Sequence, residues 1–237
     1  MRVQAIGAVL AGALIGLAQA QERVPTREWR YFGGDKAFTR YSPLDQITRD
    51  NVKNLRIVWR RPAVNDELTQ AFPDLRVTNY LRSTPIAIDG LLYTQNAHGL
   101  VVAIDGESGK TVWEQELFAR TREEANGAAT RGVDSWRAGN DKRIFAIRGE
   151  YLYALNADTG KPVAGFGEQG RASLHFEENQ PLAARFSDTT GPIVVGNVVV
   201  VTGNTAGAGD TGTFRKEAAP EDVRGFDAVS GDRKSVV

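Results

Sequence analysis

The sequence predicts an all-β chain, a partial β-propeller of four-stranded antiparallel blades, and three observations predict it. A phrase recurs: Ala103-Ile104-Asp105-Gly106-Glu107-Ser108-Gly109-Lys110, Ala154-Leu155-Asn156-Ala157-Asp158-Thr159-Gly160-Lys161, and Gly225-Phe226-Asp227-Ala228-Val229-Ser230-Gly231-Asp232. Each copy follows a run of β-formers, as expected of stacked, similar β-units. No amphipathic segment is long enough for a packed helix.

Each phrase reads as a hairpin. An apolar strand ends at a small residue, the Asp or Asn side chain bonds its own backbone, and Gly supplies the positive φ that reverses the chain. The first copy continues Thr111-Val112-Trp113, which puts a Trp four residues after Gly109, where it can cover the seam between neighbouring sheets. Ala164 and Ser235 hold that place in the other copies. Asp105 and Asn156 are 51 residues apart, Asn156 and Asp227 are 71 apart, and this fits four-stranded blades with outer loops of unequal length.

Further hairpins lie between the copies. Pro85-Ile86-Ala87-Ile88 and Leu91-Leu92-Tyr93-Thr94 flank Asp89-Gly90, a pair suited to a tight primed turn. Ile144 to Ile147 and Tyr151 to Ala154 flank Arg148-Gly149-Glu150, and Ile193 to Val195 and Val198 to Val201 flank Gly196-Asn197. Only Thr48 to Leu55 reads as a short helical turn, with Thr48 as its cap.

Residues 1–20 are different material. Arg2, the apolar run Ile6 to Ala18 and the small-residue site Ala18-Gln19-Ala20 predict a secretory signal peptide cut before Gln21, hence a periplasmic or secreted protein. Residues 21–237 are then the N-terminal part of a propeller. After Gly231 the pattern calls for Lys, β-formers and a Trp, whereas the sequence reads Asp232-Arg233-Lys234-Ser235-Val236-Val237. The expectation is a chain truncated within a longer repeat array.

The balance of 29 basic and 29 acidic residues gives no electrostatic footprint for nucleic acid. There is no Cys, hence no disulfide and no lipid-bearing N-terminal Cys. His98 and His175 are the only histidines and form no metal-ligand or nucleophile-base pattern. Glycines around Gly207 lack phosphate-loop spacing. Glu123-Glu124 and Glu177-Glu178 read as solvated loop pairs.

Certain segments are more specific than the repeat. Trp29-Arg30-Tyr31-Phe32-Gly33-Gly34-Asp35, Arg40-Tyr41-Ser42-Pro43-Leu44-Asp45-Gln46-Ile47, Asn51-Val52, Leu55-x-x-x-Trp59 and Thr130-Arg131-Gly132-Val133-Asp134-Ser135-Trp136 resemble the pyrroloquinoline quinone (PQQ) dependent dehydrogenases. The likeness is greatest to the membrane glucose dehydrogenase-like branch and runs from Glu28 to Gly231, the N-terminal part of an eight-bladed family propeller. It implies oxidation of a sugar or alcohol by hydride transfer to the quinone. The electron acceptor would be a membrane quinone or cytochrome c, and a divalent cation, calcium by family habit, would assist. Arg131 matches the family's cofactor-binding Arg before Gly, suited to a tricarboxylate. Trp136 closes the same motif, either against the cofactor or between blades. Thr190 matches a hydroxyl offered to a cofactor carboxylate. The loop from Thr202 to Asp210 falls where the family brings its first metal ligand, for which Asn204 or Asp210 would serve.

Two departures matter. Ala125-Asn126 stand where the methanol and ethanol branches carry adjacent cysteines. Arg82 replaces a Glu of those branches and is either a second cofactor anchor or a funnel-lining charge. The family's acid-base Asp, stacking Trp and later metal ligands fall beyond residue 237, so no catalytic residue is assigned in this chain. The rival is a cofactor-free periplasmic propeller scaffold or binding protein, which shares the repeat phrase. Such scaffolds are usually lipoproteins, and the missing Cys counts against it.

Overall fold

In the computed structural model, the residues described are 28–75, 77, 81–174, 185–187, 190–206 and 223–236. They form three four-stranded antiparallel sheets in chain succession. The first sheet is β1 (Ile86–Ile88), β2 (Leu91–Gln95), β3 (Val101–Asp105) and β4 (Thr111–Glu114). The second is β5 (Asp134–Ala138), β6 (Asp141–Arg148), β7 (Tyr151–Asn156) and β8 (Arg171–Ser173). β9 (Arg185–Ser187) and β12 (Asn204–Ala206) pair with each other as a separate ribbon. The third sheet is β10 (Ile193–Val195), β11 (Val198–Thr202), β13 (Val223–Asp227) and β14 (Arg233–Val236).

Each copy of the phrase follows the third strand of its sheet, so the repeats occupy equivalent places. Asp105 Oδ1 accepts from Ser108 N at 2.7 Å, Asn156 Oδ1 from Thr159 N at 3.0 Å and Asp227 Oδ1 from Ser230 N at 2.9 Å. The Ser108 hydroxyl, which also donates to Asp105 Oδ1 at 2.6 Å, and then the Ser108 N–H hold the Asp105 carboxyl below its ordinary pKa, while the Ser230 N–H and Lys234 bring Asp227 down to about 2. The closing glycines have φ of 72°, 71° and 79°, a region costly for any residue with a Cβ.

The same glycines receive an aromatic ring from the preceding unit. A Cβ on Gly109 would lie 2.5 Å from the Trp59 ring and one on Gly160 would lie 2.4 Å from the Trp113 ring. Trp59 Nε1 donates to the Gly106 carbonyl at 3.1 Å, and Trp113 Nε1 to the Ala157 carbonyl at 2.9 Å. Trp113 therefore caps the turn of the following sheet rather than that of its own repeat. In the third copy, Phe166 approaches Gly231. Ala164, which holds the Trp position in the second copy, leaves this duty to Phe166, two residues on and fully buried.

Two apolar clusters fill the seams. Tyr93, Val101, Trp113, Ile144 and Leu155 pack between the first and second sheets; Phe145, Leu152, Phe166, Val199 and Phe226 pack between the second and third. The helical content is small. A 3-10 turn at Val52–Asn54 sits within the predicted segment. Two short helices, α1 (Asp66–Ala71) capped by Asn65 and α2 (Arg122–Ala125) capped by Thr121, were not expected, and neither is long enough to show periodicity.

The first strands of neighbouring sheets approach one another and so lie nearest the common axis. Thr84 bridges Gly132 in parallel sense just before β1 and β5, and Asp134 Oδ2 accepts the Val194 N–H of β10 at 2.7 Å. Trp29 pairs through its backbone with Ala87 on the inner edge of β1, at 3.0 and 2.8 Å.

Candidate functional site

The segments that lead into the three first strands are 82–85, 130–133 and 190–192, and the fold stacks them side by side. Thr84 N donates to the Arg131 carbonyl at 2.8 Å. Gly191, with φ of 90°, lies so close to the Gly132 carbonyl that a Cβ there would come within 2.5 Å of its oxygen. Three of the four residues assigned to cofactor binding, Arg82, Arg131 and Thr190, thus sit on adjacent lengths of backbone, and all three are exposed. Thr190 Oγ1 is 3.2 Å from Thr202 Oγ1 at the end of β11.

Chemically, this is a patch for an anion with several oxygens. Arg82 and Arg131, each with a bidentate donor fork, stand on adjoining segments, and the hydroxyls of Thr190 and Thr202 lie together beside the third. These donors suit a flat polycarboxylate such as PQQ.

Trp136 is elsewhere. It lies five residues beyond Arg131 along β5, about 16 Å at the rise of an extended strand. It is buried in the seam between the second and third sheets, with Nε1 donating to Asn197 Oδ1 at 3.1 Å and the Arg143 guanidinium 5.3 Å from its ring centre. It also borders a cavity of about 300 Å³ at the opposite, turn-facing end, with Arg30, Tyr31, Asp89 and Asn197. Of its two readings, the packing one describes this position, and the structure does not bring Trp136 together with the arginines. The Asn204 backbone belongs to β12, paired opposite Ser187, whereas Asp210, His175, Gly207 and Glu177-Glu178 lie outside the described residues. Among the described residues no cluster of three or more His, Asp or Glu could hold a metal.

Beneath the patch are polar residues that sequence reasoning missed. Gln95 is completely buried: its Nε2 donates to the carbonyls of Gly99 (2.8 Å) and Ile147 (3.0 Å), and its Oε1 accepts from Thr130 N (2.9 Å) and Oγ1 (2.7 Å). The signal was present in the alternation of β2, which turns Tyr93 and Gln95 inward together. Arg148 is buried and donates to the His98 carbonyl at 3.0 Å and to Glu124 Oε1 at 3.1 Å. Glu124 is therefore half-buried and paired, not the solvated residue its sequence neighbourhood suggested, although Glu123 is exposed. Burial lowers the pKa of Arg148 and, together with that charge, of His98. Burial also pushes the Asp134 carboxyl up to about 7, even though it accepts two backbone N–H bonds.

Consecutive four-stranded antiparallel sheets joined by repeat-turn seams define a propeller-type β-protein. Residues 29–234 match the family described as PQQ "Glucose/ethanol/alcohol dehydrogenase, beta-propeller domain", and the chain belongs to it. Quinoprotein glucose dehydrogenase A of Acinetobacter calcoaceticus is 29% identical over 235 residues, which cover 90% of this chain and 28% of that protein. The 1-butanol dehydrogenase (cytochrome c) of Thauera butanivorans is 36% identical over 138 residues, 57% of this chain and 18% of the relative. The chain thus spans little more than a quarter of the length of the curated relatives it matches. In fold it resembles the quinohemoprotein alcohol dehydrogenase of Comamonas testosteroni, with a TM-score of 0.65 at 24% identity, covering 89% of this chain and 27% of the other.

Proposed function

We propose that this chain is the N-terminal part of an exported PQQ-dependent dehydrogenase and supplies part of its cofactor site. The observation that carries the reading is the alignment of Arg82, Arg131 and Thr190 at the adjoining starts of three first strands, all exposed, with glycine backbone between them. Arg131 binds a quinone carboxylate through its guanidinium fork, Arg82 adds a second positive charge, and Thr190 donates its hydroxyl. Gly191, where a Cβ would strike the Gly132 carbonyl, lets the segments 130–133 and 190–192 pack backbone to backbone and so brings Arg131 and Thr190 side by side. When bound, the quinone supplies a two-electron acceptor for the hydride of a sugar or alcohol carbon, in keeping with the dehydrogenase names of the relatives. The residues of this chain hold and orient it; none is assigned the proton-abstracting role. A divalent cation, calcium by family habit, would be met by Asn204 or Asp210, and the electrons would pass to a membrane quinone or cytochrome c.

Titrating the chain with PQQ while following tryptophan fluorescence tests this. The chain carries only part of the site, so binding is expected to be weak. Arg131→Ala should raise the dissociation constant about tenfold, the worth of a charged hydrogen bond, and leave the urea midpoint essentially unmoved because the side chain is exposed. Tight stoichiometric binding would mean that the site lies elsewhere in the chain. An Arg131→Ala variant that binds as well as the parent would remove Arg131 from it.

A further inference from the structure

We infer that Gln95 is a positioning residue that fixes Arg131 and Arg82 relative to one another, so that the two guanidiniums form one clamp for a ligand bearing at least two carboxylates. The inference rests on the functional reading above and goes beyond it by assigning the clamp's geometry to a residue that cannot touch the ligand.

The argument is one of connectivity. Gln95 is 0% exposed, and its side chain makes four hydrogen bonds, filling both donors and both acceptor sites of the amide. Two of the four go to Thr130, the residue immediately before Arg131. Thr130 Oγ1 also lies 3.0 Å from the Gly132 carbonyl, a contact that shares its single proton with the shorter bond to Gln95. The main-chain N–H of the same Gln95 donates to Ser83 Oγ at 3.0 Å, and Ser83 follows Arg82 directly. Thr94 Oγ1 donates to that same Ser83 oxygen at 2.9 Å. The loop closes through Thr84 N and the Arg131 carbonyl at 2.8 Å. The Gln95 side chain therefore ties down the segment of Arg131, its main chain meets Ser83 beside Arg82, and the Thr84–Arg131 bond joins the two segments across the seam between the first two sheets.

A hydrophobic residue of similar shape would fill the same volume but leave Thr130 N, Thr130 Oγ1 and two carbonyls without their partner, so the segment 130–132 would shift to regain bonds. The ligand class follows from the spacing being fixed at all. A single carboxylate needs one fork, and two anchored forks select a ligand whose charges are themselves rigidly spaced.

The test uses the chain as it is, with Gln95→Leu and the milder Thr130→Val, which removes one hydroxyl donor and keeps the backbone bond. Amide hydrogen exchange without ligand should show the protection of Thr84 and Thr130 falling by about tenfold in Gln95→Leu, and less in Thr130→Val, beyond any loss common to strand interiors such as Leu155 and Phe226. PQQ titration up to millimolar concentration should give a dissociation constant raised about fivefold by Gln95→Leu in the parent and by under about twofold in an Arg131→Ala background, the coupling expected if Gln95 acts through Arg131. Unchanged exchange at Thr84 and Thr130 overturns the positioning role. Equal loss of affinity with and without Arg131 overturns its connection to the arginine. If the parent does not bind PQQ at all, the functional reading fails, and the exchange arm still decides whether Gln95 holds the two segments. Should Gln95→Leu not fold, Thr130→Val carries both arms.

Discussion

Replacing Trp113 by alanine removes the ring that joins the first sheet to the second. The indole is 8% exposed, packs at 5.9 Å from the Tyr93 ring, lies against Gly160 and donates to the Ala157 carbonyl at 2.9 Å. Truncating a buried aromatic costs about 3 to 5 kcal/mol, with the spread set by how far the site collapses. Two features place Trp113 toward the lower half of that range: Tyr93 OH also donates to the Ala157 carbonyl at 3.3 Å, so the acceptor is not orphaned, and β4 is the outermost strand, free to relax inward. Trp113→Phe keeps most of the packing and loses the bond, which is worth about 1 kcal/mol. Urea unfolding followed by far-ultraviolet circular dichroism measures both, with Val112→Ala, at a position 52% exposed, as a control expected to move by under about 0.5 kcal/mol. If Trp113→Ala shifts stability by less than about 1 kcal/mol, the ring is not what holds the seam, and the repeat-turn argument fails with it.

Gly132 and Gly191 lie side by side yet should respond differently to alanine. Gly132 has room, with its nearest contact at 3.5 Å, so Gly132→Ala should change stability by about 1 kcal/mol or less, whereas Gly191→Ala meets a carbonyl at 2.5 Å with φ of 90° and should cost more than about 2 kcal/mol; equal values would refute the close approach of the two segments. Asp134 should make the protein more stable in mild acid than at neutral pH. Its folded pKa of about 7 lies above the ordinary value of 3.8, so its contribution is fully present below about pH 4 and is lost as pH rises through 7. The loss is on the order of 4 kcal/mol, and Asp134→Asn should abolish that part of the pH dependence of the urea midpoint. Phe166→Ala should destabilise by about 3 kcal/mol and loosen the third sheet first, seen as faster exchange at Phe226 than at Tyr93.

What was legible in the sequence was what the chain repeats. The Asp105, Asn156 and Asp227 turns, the Asp89-Gly90 and Gly196-Asn197 hairpins and the seam duty of Trp113 each depend on local chemistry: an Asx bond, a positive φ, an alternating strand. β5 was read only as part of a motif because Asp134-Ser135-Trp136-Arg137-Ala138 lacks the β-branched run that marked the other strands. The two short helices are fixed by caps and tertiary contacts rather than by periodicity. Of the candidate site, the residues named from the resemblance, Arg82, Arg131 and Thr190, were legible and fall on adjoining segments, whereas Gln95, Arg148 and Glu124 were not, because a buried polar residue is recognised by its partners, which lie up to 52 residues away, as for Gln95 and Ile147.

A repeat fold offers its own internal comparison. At the outer turns the three sheets keep one phrase, because each must seat a ring from the unit before it, and Trp59, Trp113 and Phe166 impose the same demand on Gly109, Gly160 and Gly231. At the starts of the first strands the equivalent segments read Arg82-Ser83-Thr84-Pro85, Thr130-Arg131-Gly132-Val133 and Thr190-Gly191-Pro192; Pro85 and Pro192 recur directly before the strand and Gly132 and Gly191 one place earlier, while the place before that varies as Ser83, Arg131 and Thr190. Packing alone would favour one solution at three equivalent places, as it does at the turns. The divergence appears only where side chains are exposed and the backbones touch, and there it produces two cations and a hydroxyl on adjacent strands. That difference between the constant end and the variable end is a reason, apart from any relative, to propose the site there.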